Sequence, residues 1–229
     1  MKLLNDGNSK TKKGETLGWK TYGIHLAPAS ASGFNTCQFA TAGCSSACLN
    51  TAGRGAMNSV QKARIQKTLF FFKDKAGFLA QLREEVRASI KSSLRQGFKP
   101  CFRLNLTSDL PWHKMGIMEE FPEVQWYDYT KDYRRALQFM HGELPSNYHL
   151  TFSRAETEEN QQQARSLLSM GMNVAAVFRK SLPATWNGFK VVDGDETDLR
   201  FLDPQGVIVG LVEKGKAKQD NTGFVLSHE

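Results

Sequence analysis

The chain has 229 residues, of which 40% are hydrophobic and 23% are charged, a composition typical of a globular protein and unlike that of a disordered one. No stretch is apolar for long enough to cross a membrane, and the polar residues that soon follow Met1 are unlike a signal peptide. The formal net charge of +7 fits an anionic partner such as a nucleotide or nucleic acid, and it equally fits a solubilising surface. We therefore expect a cytoplasmic protein with no membrane partner.

The first 16 residues differ from the rest of the chain. They show no apolar periodicity and several are basic, which predicts a flexible basic arm. No linker-like segment follows, so residues 17–229 are expected to form a single domain. Within that domain a helix is predicted from Asn58 or Ser59 to Phe72. A second helix begins after Asp74 as its cap and ends at Gly97.

Strand-like runs alternate with helical patterns along this domain. The runs lie at residues 18–28, 100–106, 124–127, 148–152, 173–178, 189–192 and 207–212. Strands that alternate with helices favour a parallel sheet with crossover helices, which is an α/β fold. About six or seven such units favour a single-domain partial (β/α) barrel with mostly parallel strands.

Three of the four cysteines, Cys37, Cys44 and Cys48, lie within a dozen residues. Their loop is rich in small residues that let the backbone turn tightly, so the three thiolates could converge on one metal site. The fourth, Cys101, lies near the start of a predicted strand and is expected to be an ordinary buried thiol. His25 is either a fourth ligand or a structural histidine.

Two kinds of metal site fit three cysteines. One is zinc, completed by His25 or a carboxylate. The other is a [4Fe-4S] cluster in which three thiolates leave one iron open to a ligand. The gaps of six and three residues do not match the paired spacing of structural zinc sites, which favours the cluster.

Polar side chains follow the predicted strands at their carboxyl ends, where the functional groups of α/β barrels lie. We expect Asp109, Asp193 and Asp195 to be catalytic. Asp109 would orient amino or hydroxyl groups of a ligand, and Asp193 and Asp195 would act as acid and base groups or hold a ribose. A second set of residues is expected to bind a cofactor or substrate. It comprises Asn105, Ser108, Lys131, Ser153 and Arg154. Of these, Lys131 and Arg154 would bind a carboxylate or phosphate group.

Several motifs resemble those of the bacteriophage gene product eighty-eight family. They are residues 26–29 (LAPA), 48–55 (CLNTAGRG), 103–109 (RLNLTSD), 127–131 (YDYTK), 150–154 (LTFSR), 193–195 (DGD) and 198–204 (DLRFLDP), together with the three cysteines. The resemblance implies a phage-encoded protein that acts in the cytoplasm of the bacterial host. The cysteine loop and the strand order are also similar, more weakly, to those of radical S-adenosylmethionine enzymes. That similarity implies a cluster able to bind S-adenosylmethionine.

Three hypotheses follow. The first is an iron–sulfur enzyme, similar to radical S-adenosylmethionine proteins, that acts on a nucleotide, a nucleic acid or another small anionic substrate. The second is a zinc-stabilised phage protein that binds a host factor or nucleic acid without catalysis. The third is a metal-dependent nuclease in which the carboxylates of Asp193, Asp195 and Asp198 hold two divalent ions.

Overall fold

The computed structural model of this chain describes residues 1–6 and 10–228, and within them nine strands form a sheet. The strands are β1 (Trp19–Gly23), β2 (Lys99–Arg103), β3 (Gln125–Thr130), β4 (Tyr148–Ser153), β5 (Val174–Phe178), β6 (Thr185–Trp186), β7 (Phe189–Asp193), β8 (Ile208–Val212) and β9 (Val225–Leu226). The predicted strand-like runs all fall on these strands or overlap them.

Five α-helices occur in the same described part of the chain. They are α1 (Ala42–Ser46), α2 (Asn58–Lys73), α3 (Lys75–Arg95), α4 (Tyr133–Met140) and α5 (Glu158–Ser169). Short 3-10 helices cover Thr11–Leu17, Leu49–Thr51, Gly53–Ala56, Trp112–Met115, Arg200–Leu202 and Gly215–Gln219. None of the described helices combines the length and the apolar character that crossing a membrane requires.

The sheet is mostly parallel and open. Its order is β1-β2-β3-β4-β5-β8-β7-β6, with β9 also paired to β5, and the β6–β7 pair is antiparallel. The α/β class and the parallel strands confirm the prediction. The strands described here do not close into a barrel, because β1 and β6 are the two ends of the strand order. The order also departs from the chain sequence, since β8 lies between β5 and β7.

The chain divides into two compact units, the first of which comprises Met1–Gln38, Ala56–Asp128 and Pro145–His149. β1 pairs in parallel with β2, and β2 with β3. Aromatic rings from the three strands stack in the core, with ring centroids 5.6 Å apart for Tyr22 and Phe102 and 4.8 Å apart for Phe102 and Trp126. Such offset aromatic pairs add to the free energy gained by burying the rings.

Helix α3 packs against β2 and buries Phe78, Leu82 and Val86. These residues recur at three- and four-residue steps, so they share one helix face. The helix begins after Asp74, whose Oδ1 accepts the N–H of Gly77 at 2.8 Å, as predicted. Gly97 lies just beyond the helix with a positive φ of 78°, a conformation that favours glycine.

The stretch predicted to be a flexible arm contributes to the first unit. Leu3 and Leu4 are fully buried, and residues Thr11–Leu17 form a 3-10 helix. Asn5 forms a bridge with Gly23, in which each backbone N–H donates to the other residue's carbonyl, at 2.8 and 3.0 Å. The part of the arm at residues 7–9 lies outside the described residues.

The second unit comprises Phe39–Gly55, Tyr129–Leu144 and Leu150–Glu229. Its centre is β5, which pairs along its whole length with β8. Helix α5 buries Ala164, Leu167 and Leu168. It follows Thr157, whose hydroxyl accepts the N–H of Asn160 at 3.4 Å, so a local cap fixes where this helix starts.

Replacement of Gly23 by alanine tests the close approach of β1 to the segment after β2. A Cβ there would lie 2.5 Å from the carbonyl oxygen of Arg103 and 2.5 Å from Cδ1 of Leu106. Because backbone must then move, we expect the free energy of unfolding to fall by about 1–3 kcal/mol. Urea denaturation measures this, with Lys91→Ala on the exposed face of α3 as the control. Equal stability of the two variants would contradict the packing described.

Candidate functional site: a cationic cavity

The first unit contains a cavity of about 240 Å³, far more than the roughly 10–15 Å³ that a single water needs by this measure. It is also smaller than the roughly 300–1,000 Å³ typical of drug-sized ligands, so it suits a small molecule or one group of a larger one. Three basic side chains line it. The lining includes Asn5, His25, Ser59, Arg64 and Lys67 and, among the described residues, no carboxylate. We call it the cationic cavity.

Helix α2 supplies both of the cations, Arg64 and Lys67. Arg64 and Lys67 are one turn apart and belong to the buried residues of the helix, together with Thr68 and Phe71. The Thr68 hydroxyl donates to the carbonyl of Arg64 at 2.9 Å and accepts the N–H of Ala27 at 2.9 Å. This bond pins the loop after β1 to the helix and so places His25 in the cavity wall.

The Lys67 ammonium joins the helix to the start of the chain. Its Nζ donates to the carbonyl of Leu3 at 2.7 Å and to Oδ1 of Asn5 at 3.3 Å. Burial lowers the pKa of Lys67, and Glu85 opposes that shift. Both oxygens of Glu85 accept backbone N–H groups of Leu3 or Leu4, at 2.7–2.9 Å, so its carboxylate is held by the N-terminal segment.

His25 is neutral in this setting. Burial, together with the positive charges of Arg64, Arg103 and Lys67, lowers its pKa from 6.5 to about 3. Its Nδ1 is buried and, within the described residues, has no hydrogen-bond partner. The same positive charges oppose a metal cation, which argues for His25 as a neutral histidine rather than a fourth metal ligand.

The start of helix α2 also borders the cationic cavity, through Ser59 and Val60. The N-cap of the helix is Met57, which makes no side-chain capping bond. The prediction that Asn58 or Ser59 caps the helix was therefore wrong. The first N–H groups of a helix have no partner within the helix, and they carry partial positive charge. They therefore add to the positive potential of the lysine and arginine.

In the first unit the structure uses Asn105 and Ser108 internally. The Asn105 side chain is 3% exposed, and its Oδ1 accepts from Ser108 Oγ at 2.8 Å, Leu110 N at 2.9 Å and Trp112 Nε1 at 3.0 Å. Asp128 accepts the backbone N–H of Asn105 at 2.7 Å. This network orders the loop after β2, and it leaves the Asn105 amide little capacity for a ligand. The backbone N–H of Asp109 donates to the carbonyl oxygen of Thr36 at 2.8 Å, which joins this loop to the segment that contains Thr36.

In the second unit the structure brings Lys131 and Ser153 together. Lys131 Nζ donates to Ser153 Oγ at 2.6 Å and lies 5.6 Å from the ring centroid of Phe224. Arg154, the next residue, donates through one guanidinium nitrogen to the carbonyls of Gly223 and Phe224, at 2.8 and 3.1 Å. The predicted cofactor-binding residues of this unit thus gather around the segment that leads into β9.

Asp193 and Asp195 form a local turn. Asp193 Oδ1 accepts the N–H of Asp195 at 2.7 Å. Asp195 bonds Lys214 Nζ through one oxygen at 2.6 Å and the N–H of Val212 through the other at 3.1 Å. Both carboxylate oxygens of Asp195 therefore tie the end of β7 to the end of β8, which is a structural use of a residue predicted to be catalytic.

The three cysteines of the loop are free thiols of intermediate exposure, whereas Cys101 is buried. Cys44 lies in α1, where its N–H donates to Thr41 Oγ1 at 3.2 Å. Cys48 Sγ accepts the N–H of Asn50 at 3.5 Å. No group of three or more His, Cys, Asp or Glu side chains in the described residues is arranged to hold a metal. As folded here, the three thiols do not fit the predicted cluster.

Arg64 and Lys67 were not among the predicted site residues. A signal was present, because both stand at helical spacing with Thr68 and Phe71, where a packed helix places apolar side chains. Arginine and lysine are rarely buried to this extent, which makes these two side chains candidates for an anion site.

The fold is that of an open, mostly parallel α/β protein, and its first unit contains a small cavity lined by Arg64 and Lys67. The chain belongs to the Gene product 88 family of phage proteins, whose family model matches residues 2–228, and this confirms the resemblance found in the sequence. No curated protein and no solved structure gave a significant match. The similarity to radical S-adenosylmethionine enzymes gains no support from these comparisons.

The depressed pKa of His25 predicts a pH-dependent stability. Above pH 6.5 the ring is neutral in both the folded and the unfolded chain, so it contributes no pH dependence. As the pH falls from 6.5 towards the folded-state pKa of about 3, the unfolded chain binds a proton that the folded chain does not. Stability is therefore lost at up to about 1.4 kcal/mol per pH unit.

Replacement of His25 by glutamine should remove that slope. In urea denaturation at pH 7, 6, 5 and 4, we expect the unfolding free energy of His25→Gln to fall less steeply than that of the natural chain. His141→Gln, at an exposed histidine, is the control and should keep the original slope. Parallel profiles for the natural chain and His25→Gln would show that His25 is solvated.

Proposed function

We propose that this protein binds a small anionic ligand, through a phosphate or carboxylate group, in the cationic cavity of its first unit. One observation supports the proposal above the others. Arg64 and Lys67, which are 7% and 6% exposed, line one cavity whose described lining contains no carboxylate. Two positive charges at one cavity attract an anion, and the attraction is stronger there than in open solvent.

The donors of the cavity suit an oxyanion. An arginine guanidinium can bind two oxygens of a carboxylate or phosphate at once, and a lysine ammonium acts as a compact point charge. Lys67 has three N–H donors, of which Leu3 and Asn5 accept two, so the third is available to a ligand. The N-terminus of α2 and the Ser59 hydroxyl add neutral donors at the same cavity.

Binding of inorganic phosphate tests this function. We expect isothermal titration calorimetry at pH 7 and constant ionic strength to show saturable binding by the natural chain, and phosphate to raise the melting temperature. Arg64→Gln and Lys67→Gln should each weaken binding about tenfold or more, because each removes a charge-assisted hydrogen bond. Arg64→Lys, which keeps the charge, should lose less.

The control is Lys62→Gln on the exposed face of the same helix, which removes the same charge from the surface. It should bind phosphate like the natural chain. Equal weakening by Lys62→Gln and Arg64→Gln would show that phosphate responds only to net charge. Absence of saturable binding to the natural chain would also overturn the proposal.

The second candidate is an iron–sulfur protein that holds a [4Fe-4S] cluster at Cys37, Cys44 and Cys48. What favours it is the chemistry of the thiols, which are partly exposed and not joined in disulfides. The N–H of Asn50 also donates to Cys48 Sγ, a contact that stabilises a thiolate. Such a cluster would supply electron transfer and an open iron able to take S-adenosylmethionine. Since the thiols are not grouped here, it requires a rearranged cysteine loop, and zinc remains the alternative metal.

Metal analysis after anaerobic purification decides between these cofactors. The cluster hypothesis expects about four iron and four sulfide per chain, lost in the triple variant with serine at the three loop cysteines and retained in Cys101→Ala. About one zinc per chain would support the zinc-stabilised alternative. Protein without iron or zinc after reconstitution would show that the loop cysteines are ordinary thiols. That result would contradict both the cluster hypothesis and the zinc hypothesis.

A further inference from the structure

A second cavity lies wholly within the second unit and has a volume of about 90 Å³. Helix α5 forms one wall through Gln161 and Arg165, and the β6–β7 hairpin forms another through Trp186 and Asn187. Its floor is apolar and comes from the strands, with Val174 and Ala176 of β5, Ile208 of β8 and Leu226 of β9. We call it the hairpin cavity.

The hairpin cavity is lined by the aromatic side chain of Trp186, which is held in place by a second ring. Trp186 is partly buried, and its ring meets Phe178 of β5 edge to face with centroids 5.7 Å apart. The two-residue turn after it is Asn187-Gly188, both with positive φ, of 49° and 83°. Such a turn matches the twist of a hairpin, so the position of Trp186 is fixed by the backbone as well as by packing.

Two arginines border this cavity, and they differ. Arg154 is engaged with the carbonyls of Gly223 and Phe224, and the charges of Glu156 and Asp220 act on it. Arg165 is exposed, and its guanidinium makes no hydrogen bond or ion pair with any residue that the structure describes. Within the described lining of the cavity there is no carboxylate. Arg165 therefore leaves a positive charge at the mouth of an apolar cavity.

We propose that the hairpin cavity is a second binding site, for a small planar aromatic anion. The ring would pack on the apolar floor beside Trp186, where aromatic pairs are favourable. Its carboxylate or phosphate would bind Arg165 in a charge-assisted hydrogen bond. The side-chain amides of Gln161 and Asn187 offer polar groups to substituents on the ring edge. This site is independent of the cationic cavity and of the ligand proposed for it.

Benzoate is the test ligand, because it carries a ring and a carboxylate and little else. In nitrogen-15 correlated spectra the indole N–H of Trp186, identified by its loss in Trp186→Phe, should shift saturably as benzoate is added at constant ionic strength. Benzamide lacks the charge and acetate lacks the ring. Each should bind at this site at least about tenfold more weakly than benzoate.

Arg165→Gln should weaken benzoate binding about tenfold, as expected for loss of one charge-assisted bond, and Arg165→Lys should restore part of it. Arg165 is exposed, so both variants are expected to fold. The control is Arg95→Gln, at an exposed arginine in the first unit, which should bind like the natural chain. Benzamide binding as tightly as benzoate, an unchanged affinity in Arg165→Gln, or an indole resonance that never moves would each overturn the proposal.

Discussion

The bonds between charged side chains and the backbone of residues 3–5 are the contacts on which the first unit's cavity depends. Lys67 holds the Leu3 carbonyl from helix α2, and Glu85 holds the N–H groups of Leu3 and Leu4 from helix α3. Both helices thus bond the same short segment, α2 through its carbonyl oxygen and α3 through its N–H groups. Hydrogen bonds to charged groups are stronger than neutral ones, so these bonds keep Asn5 in the cavity wall and bury Leu3 and Leu4 beside the helices.

Local chemistry explains why much of the fold was predictable. Apolar runs marked the strands, and Asp74 and Gly97 marked helix ends, since a cap needs only a side chain and a backbone group a few residues away. Asp132 caps α4 in the same local way, because it accepts the N–H of Arg135 at 3.2 Å. The position of β8 between β5 and β7 could not be read in the same way. It depends on pairing between segments far apart in the chain, for which the apolar pattern of Ile208–Val212 gives no partner.

The candidate site was less predictable than the fold. Asn105 and Asp195 stand where functional groups of parallel sheets often lie, yet the structure uses their oxygens to order the turns that follow the strands. A polar residue at a strand end can serve either purpose, and the sequence does not distinguish them. Conversely, Arg64 and Lys67 were not predicted as site residues, although they stand where a packed helix places apolar side chains. The cavity that they line is formed by segments distant in the chain, so the sequence does not reveal it.

One edge of β5 is shared by two strands in succession. β4 pairs with its first half, at Val174 and Ala175, and β9 pairs with its second half, at Val177 and Phe178. Arg154, the first residue after β4, donates to the carbonyls of the two residues that precede β9. It therefore holds the start of β9 close to the end of β4. An unpaired strand edge is a template for another chain. By keeping β9 in place, this arginine shields the central strand of the second unit from aggregation through its backbone.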